Sequence, residues 1–171
     1  MDPISAQVHI AIEDSRWRVA LQDDIQSVIE SYIITTLNHP VIVERMPKQV
    51  EVSVVLTNDE DIKCLNRDYR GNDKPTNVLS FPQEADIASM KNFDACALLG
   101  DIVLSIETIQ KEALQQQKPM HHHLAHLIVH GTLHLIGYDH ESDKDATVME
   151  SLEISILQQL SVSNPYEVDN S

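Results

Sequence analysis

Leu127-Ile128-Val129-His130-Gly131-Thr132-Leu133-His134-Leu135-Ile136-Gly137-Tyr138-Asp139-His140 is the stretch on which the reading of this chain turns. Residues four apart on a helix share a face, so His130 and His134 present two imidazoles one turn apart. Leu127, Ile128, Leu133, Leu135 and Ile136 make the same helix apolar on nearly every side, which predicts burial. A buried imidazole requires a partner, and two side by side require one more urgently. Gly137 is placed to end the helix in a left-handed turn, after which Tyr138-Asp139 can reverse the chain and return His140 to the pair. Three neutral imidazoles with a fourth position open form a catalytic rather than a structural zinc site. Among nine histidines in 171 residues, such a spacing is expected by chance only about 0.02 times.

Working outward, the chain alternates strand and helix patterns without an internal repeat. Val8, Ile10 and Ile12 alternate as a half-buried strand, and Val50, Val52, Val54 and Leu56 do so most clearly. Between them, Leu21, Ile25, Val28, Ile29, Tyr32 and Leu37 mark one face of a long helix that ends before His39-Pro40. Asn58 can cap a helix carrying Ile62, Leu65 and Tyr69. Gly71-Asn72-Asp73 reads as a turn, Val78 to Phe81 as a short strand and residues 82–98 as a loop or irregular hairpin. Ile102 to Leu104 follow as a strand, and Ser105 can cap a helix running to Gln117. Pro119 separates that helix from the histidine helix, expected over about residues 122–136. Ser142 can cap a last helix with Met149, Leu152, Ile156, Leu157 and Leu160 on one face. The expected architecture is a single compact α+β domain spanning residues 1–171: one mixed sheet of about four strands covered by helices, the zinc site at the end of a buried helix, and a frayed tail from about Ser161.

Composition narrows the function classes. A chain of 171 residues with 42% apolar and 23% charged residues can bury an ordinary core. Cys64 and Cys96 are too few for a disulfide scaffold and fit no metal motif. No apolar run approaches the roughly 18 residues of a membrane span, and the Met1-Asp2-Pro3 start carries no signal-like segment. A soluble, reducing, cytoplasmic location without membrane partners is the expectation. The formal net charge of −15 argues against non-specific adhesion to nucleic acid. Lys63, Arg67, Arg70 and Lys74 nevertheless lie within twelve positions, interleaved with Asp61, Asp68 and Asp73, so both a solvated helix face and a local positive strip are open readings.

Other features refine the chemistry. His126 precedes His130 by one turn, but at about 1.5 Å per residue it lies roughly 12 Å from His134 and cannot share its metal. It reads as a pocket-lining residue or as core packing. The histidine spacing also matches that of metzincin peptidases, whose general base is a glutamate directly after the first histidine. Gly131 stands there, which removes that catalytic carboxylate.

The motif His130-Gly131-x-x-His134-Leu135-x-Gly137-Tyr138-Asp139-His140 resembles the signature of the YbeY endoribonucleases, the rRNA maturation factors. Asn66-x-x-Tyr69-Arg70 followed by Asp73-x-Pro75-Thr76-Asn77-Val78-Leu79-Ser80-Phe81-Pro82 extends the resemblance, as does Leu99-Gly100-Asp101-Ile102-Val103-Leu104-Ser105. It runs in order from about residue 50 to 157, departing at Asn77, where the family usually carries aspartate. The resemblance implies a compact α+β fold, one Zn2+ per chain on His130, His134 and His140, and cleavage of single-stranded RNA. It further implies small-subunit (16S) rRNA 3′-end maturation and ribosome quality control, with rRNA, the ribosomal small subunit and its assembly proteins as partners. The family's important arginine maps onto Arg70, so Arg70 and His130 are the expected catalytic residues, with Arg67, Arg70 and Lys74 as RNA-backbone contacts. A zinc peptidase and a non-catalytic ribosome-assembly module with a structural zinc are the alternatives.

Overall fold

A computed structural model describes residues 3–22, 24–83 and 96–167. The elements in order are β1 (Ser5–Ile12), α1 (Arg16–Leu21), α2 (Ile25–Leu37), α3 (Pro40–Val43), β2 (Gln49–Thr57), α4 (Asp59–Arg70), β3 (Val78–Pro82), β4 (Ala97–Ser105), α5 (Ile106–Gln115), α6 (Met120–Leu135) and α7 (Asp143–Gln159). The strands form one four-stranded mixed sheet in the order β1-β2-β4-β3. β1, β2 and β4 are parallel, and β3 is antiparallel to β4 at the edge. This is the expected α+β sandwich with its mixed sheet.

The alternation of β2 explains its central position. Val50, Val52, Val54 and Leu56 are fully buried and belong to the main core, while Val55 faces the other side of the sheet. On that second face a smaller cluster gathers Ile62 and Leu65 of α4 with Leu79, Phe81 and Val103. The main core lies on the opposite face, where α6 packs against α2, α5, α7, β3 and β4. Ten of its sixteen residues are buried, as an apolar surface all round requires.

Several expectations need correction. The long helix across Leu21 and Leu37 is two helices, because Gln22 takes a left-handed conformation (φ 54°) and Asp24 caps a new start by accepting from the Ser27 N–H. Pro40 does not merely stop α2; at the first position of α3 its missing N–H is no loss. The strand expected over Ile102–Leu104 extends to Ala97–Ser105, with a register shift opposite Glu51/Val52. Ser105 stands at the start of α5 but makes no capping bond; its hydroxyl donates instead to Asp59 Oδ1 at 2.5 Å. Most of the loop expected over 82–98 lies outside the described residues. Within the described residues, the part of the tail expected to fray from Ser161 that runs to Glu167 folds back: the Val162 N–H donates to Leu157 O at 2.8 Å, and Tyr166 reaches α7.

Candidate metal centre

The end of α6 is built by its C-terminal turn. Gly137 adopts φ 104°, its N–H donates to His134 O at 3.1 Å, and the Tyr138 N–H donates to Leu133 O at 3.0 Å. This paired 5→2 and 6→1 pattern terminates a helix around a left-handed residue that glycine adopts without a Cβ penalty. The next residue, Asp139, accepts the His140 N–H at 2.7 Å, which fixes the reversal that brings His140 back. The side chain of Asp139 therefore has a turn role.

The three expected ligands meet. One ring nitrogen from each of His130, His134 and His140 lies within 4.8 Å of the others. His130 Nε2 and His134 Nε2 are 3.0 Å apart, and the His140 ring stacks on His130 with centroids 5.7 Å apart. Four-coordinate zinc at about 2.0–2.1 Å from each imidazole nitrogen needs ligand nitrogens about 3.3 Å apart, so the His130–His134 pair already stands near that spacing and the three-imidazole set is of the kind that ion takes. Burial, reinforced by the neighbouring rings of His130 and His140, pushes His134 down to about 4, so its ring is the neutral form a metal requires.

The rings open onto a cavity of about 390 Å³ that is also lined by Arg70, Asn77, Val78, Ser80, Asp139 and Glu141. Arg70 comes from the last turn of α4 and is the member of the Tyr-Arg pair that reaches the histidine site, whereas Tyr69 packs against Phe81. Lys63, Arg67 and Lys74 are exposed and are not among the lining residues; Arg67 donates to Asp68 at 3.0 Å. The basic run is thus an exposed face of α4 and the turn after it, from which one guanidinium reaches the cavity. Asn77 donates to Glu112 Oε1 at 2.9 Å, and buried His123 meets the same oxygen at 2.9 Å. An aspartate at position 77 would set a second carboxylate against Glu112.

Gly131 has a spatial reason. A Cβ there would stand 3.1 Å from Ser80 Oγ and 3.2 Å from Ile102 Cγ2, tighter than ordinary contact. Position 131 faces the sheet, and a glutamate in the peptidase arrangement has no room.

Sequence reasoning missed Glu153. It is wholly buried on α7, with Oε1 2.5 Å from His130 Nδ1 and Oε2 3.7 Å from His126 Nε2. Tyr166 donates its hydroxyl to Oε2. Burial alone would raise this carboxyl, but the close approach of His126 and the hydrogen bonds from His130 and Tyr166 outweigh it and hold Glu153 at about 2. One signal was available: an acid between Leu152 and Ile156, four residues after Met149, on the apolar face of the last helix.

The sequence profile of the family described as Endoribonuclease YbeY matches residues 11–161. The chain belongs to this family. It is 48% identical over 148 residues to the Endoribonuclease YbeY of Bradyrhizobium sp. (strain BTAi1), covering 85% of this chain and 84% of that protein. The Endoribonuclease YbeY of Methylocella silvestris is 42% identical over 160 residues, or 94% of this chain and 85% of the relative. A solution structure from Thermotoga maritima shares the fold, with a TM-score of 0.51 and 24% identity over 96% of this chain and 99% of that one. Family membership thus coincides with the histidine motif, the Tyr-Arg motif and the mixed sheet that joins them. Among the described residues no helix is long and apolar enough to cross a membrane.

Proposed function

We propose that this chain is a zinc-dependent endoribonuclease that cleaves single-stranded RNA, acting in small-subunit rRNA 3′-end maturation and ribosome quality control. The observation that carries the reading is the convergence of His130, His134 and His140 with Arg70 on one cavity, in a member of the YbeY endoribonuclease family. His130, His134 and His140 would hold the ion. Zinc in such a site supplies Lewis-acid polarisation of a phosphoryl oxygen and lowers the pKa of water towards roughly 7.

The chain's own residues do the rest. Arg70 presents a planar, permanently charged fork to a phosphate and offsets charge that develops on it. Arg67 and Lys74 lie further out, where they would steer the RNA backbone. Asp139 and Glu141 border the same cavity, so among the described residues Arg70 is the one permanently positive side chain lining it that would meet a phosphate. Beside Arg70, Tyr69 is 70% exposed and meets Phe81 edge to face at 5.3 Å. An exposed aromatic next to a phosphate-binding arginine is the pairing by which proteins hold unpaired bases. That observation favours single-stranded RNA over duplex. The closed space at Gly131 argues against the peptidase alternative, and the open side of the three-histidine set argues against a purely structural zinc.

The whole chain is read as one domain working in the cytoplasm with the ribosomal small subunit and its assembly proteins. Metal-defined protein incubated with a single-stranded RNA, the matching duplex and a generic peptide is the test. Cleavage of the single strand alone supports the reading, and cleavage of the peptide would replace it.

A further inference from the structure

Glu153 is the one aspartate or glutamate that is buried among the described residues. Removing a carboxylate from water costs several kcal/mol unless it is well paired, so this side chain needs a reason to stand among Met149, Leu152, Ile156 and Leu157. Its partners supply one. Oε1 lies 2.5 Å from Nδ1 of His130, the nitrogen that points away from the metal-facing side, whereas Nε2 of His130 lies 3.0 Å from Nε2 of His134. A carboxylate oxygen accepts, so Nδ1 carries the proton and Nε2 is left with its lone pair toward the cavity. The other oxygen is held by the Tyr166 hydroxyl, which also lies 3.4 Å from His126 Nε2. Tyr166 reaches that position because the chain beyond α7 turns back at Ser161 (φ 62°) and pins Val162 to Leu157.

We propose that Glu153 is the positioning residue that sets the tautomer and orientation of His130 for metal binding, and that Tyr166 locks Glu153, making the C-terminal tail a working part of the centre. This rests on the reading of the three histidines as metal ligands. His126, one turn too far to ligate, braces the same carboxylate rather than the metal. Outer carboxylate partners of ligating histidines typically contribute 10- to 100-fold in metal affinity.

The test uses the full-length protein, Glu153→Gln and Tyr166→Phe, with zinc affinity measured by chelator competition and the His130 tautomer read by ¹⁵N NMR on metal-free protein. Glutamine keeps the shape of Glu153 and Tyr166→Phe removes one hydroxyl, so thermal unfolding of both should stay near wild type. The expected result is Nδ1–H at His130 in the wild type. Zinc affinity should fall 10- to 100-fold in Glu153→Gln, with a smaller loss in Tyr166→Phe. Wild-type affinity in both folded variants, or an Nε2–H tautomer in the wild type, would overturn the proposal. If Glu153→Gln does not fold, Tyr166→Phe and the wild-type tautomer decide it. A wild type that binds no zinc would refute the metal reading, while the tautomer measurement would still judge the role of Glu153.

Discussion

Replacing Gly131 with alanine sets two measurable effects against each other. In a helix interior the change is worth about 1 kcal/mol in favour of alanine. Here the new methyl would meet Ser80 Oγ at 3.1 Å and Ile102 Cγ2 at 3.2 Å, both in strands packed under α6. Overpacking of that kind typically costs about 1–3 kcal/mol. The rotatable Ser80 hydroxyl can yield, whereas Ile102 is wholly buried and cannot. The net expectation is destabilisation by about 1 kcal/mol, which lowers the melting temperature of a chain this size by about 2–4 °C. Because α6 must rise off the sheet, His130 also moves relative to Arg70, so kcat/KM for RNA should fall more than stability does. Differential scanning calorimetry with a parallel cleavage assay reads both. A melting temperature raised by several degrees with unchanged cleavage would show that position 131 has free space. Gly131→Glu in that case becomes the natural peptidase test; as the structure stands, that variant should fail to fold.

Other perturbations separate the remaining roles. In metal-free protein the His134 ring should titrate near pH 4 by NMR. With its folded value below the usual 6.5, the stability it contributes is full above about pH 6.5 and is lost as pH falls toward 4, so the urea midpoint should drop between pH 7 and 5. Arg70→Ala should lower kcat for RNA by about 10²-fold or more, in line with loss of a charge-stabilising group; Arg67→Ala, tied to Asp68 on the surface, should change mainly the salt dependence of binding. Tyr69→Ala should weaken binding of single-stranded RNA by about 1–3 kcal/mol, with zinc content unchanged. An equal loss for duplex RNA would argue against base stacking at that residue.

What the sequence made legible follows from how local each cause is. His130, His134, Gly137 and His140 sit within one helix and its C-terminal turn, so periodicity and a single glycine were enough to bring the three rings together. The strand count was legible because Val50 to Leu56 alternate so strictly. The break at Gln22 was not, because neither glycine nor proline marks it and the Asp24 cap looks like any surface acid. Ser105 looked like a cap because nothing local reveals that Asp59, 46 residues away, takes its hydroxyl. Arg70 reached the site through its resemblance to a known motif; its charge alone did not separate it from Lys63, Arg67 and Lys74, which the structure leaves outside the cavity lining. Glu153 was hidden for the opposite reason. Its partner lies 23 residues earlier on another helix, and only its place on an apolar face hinted that it was not solvated.

In the proposed function, RNA is cleaved at an ion held by His130, His134 and His140. The most direct test is cleavage of one labelled single-stranded RNA by protein of measured zinc content, alongside His134→Ala checked for folding. The expected result is about one zinc per chain, cleavage lost on chelation and restored by zinc, and neither zinc nor cleavage in the variant. Undiminished cleavage by a folded, zinc-free His134→Ala protein would place the chemistry away from the three histidines.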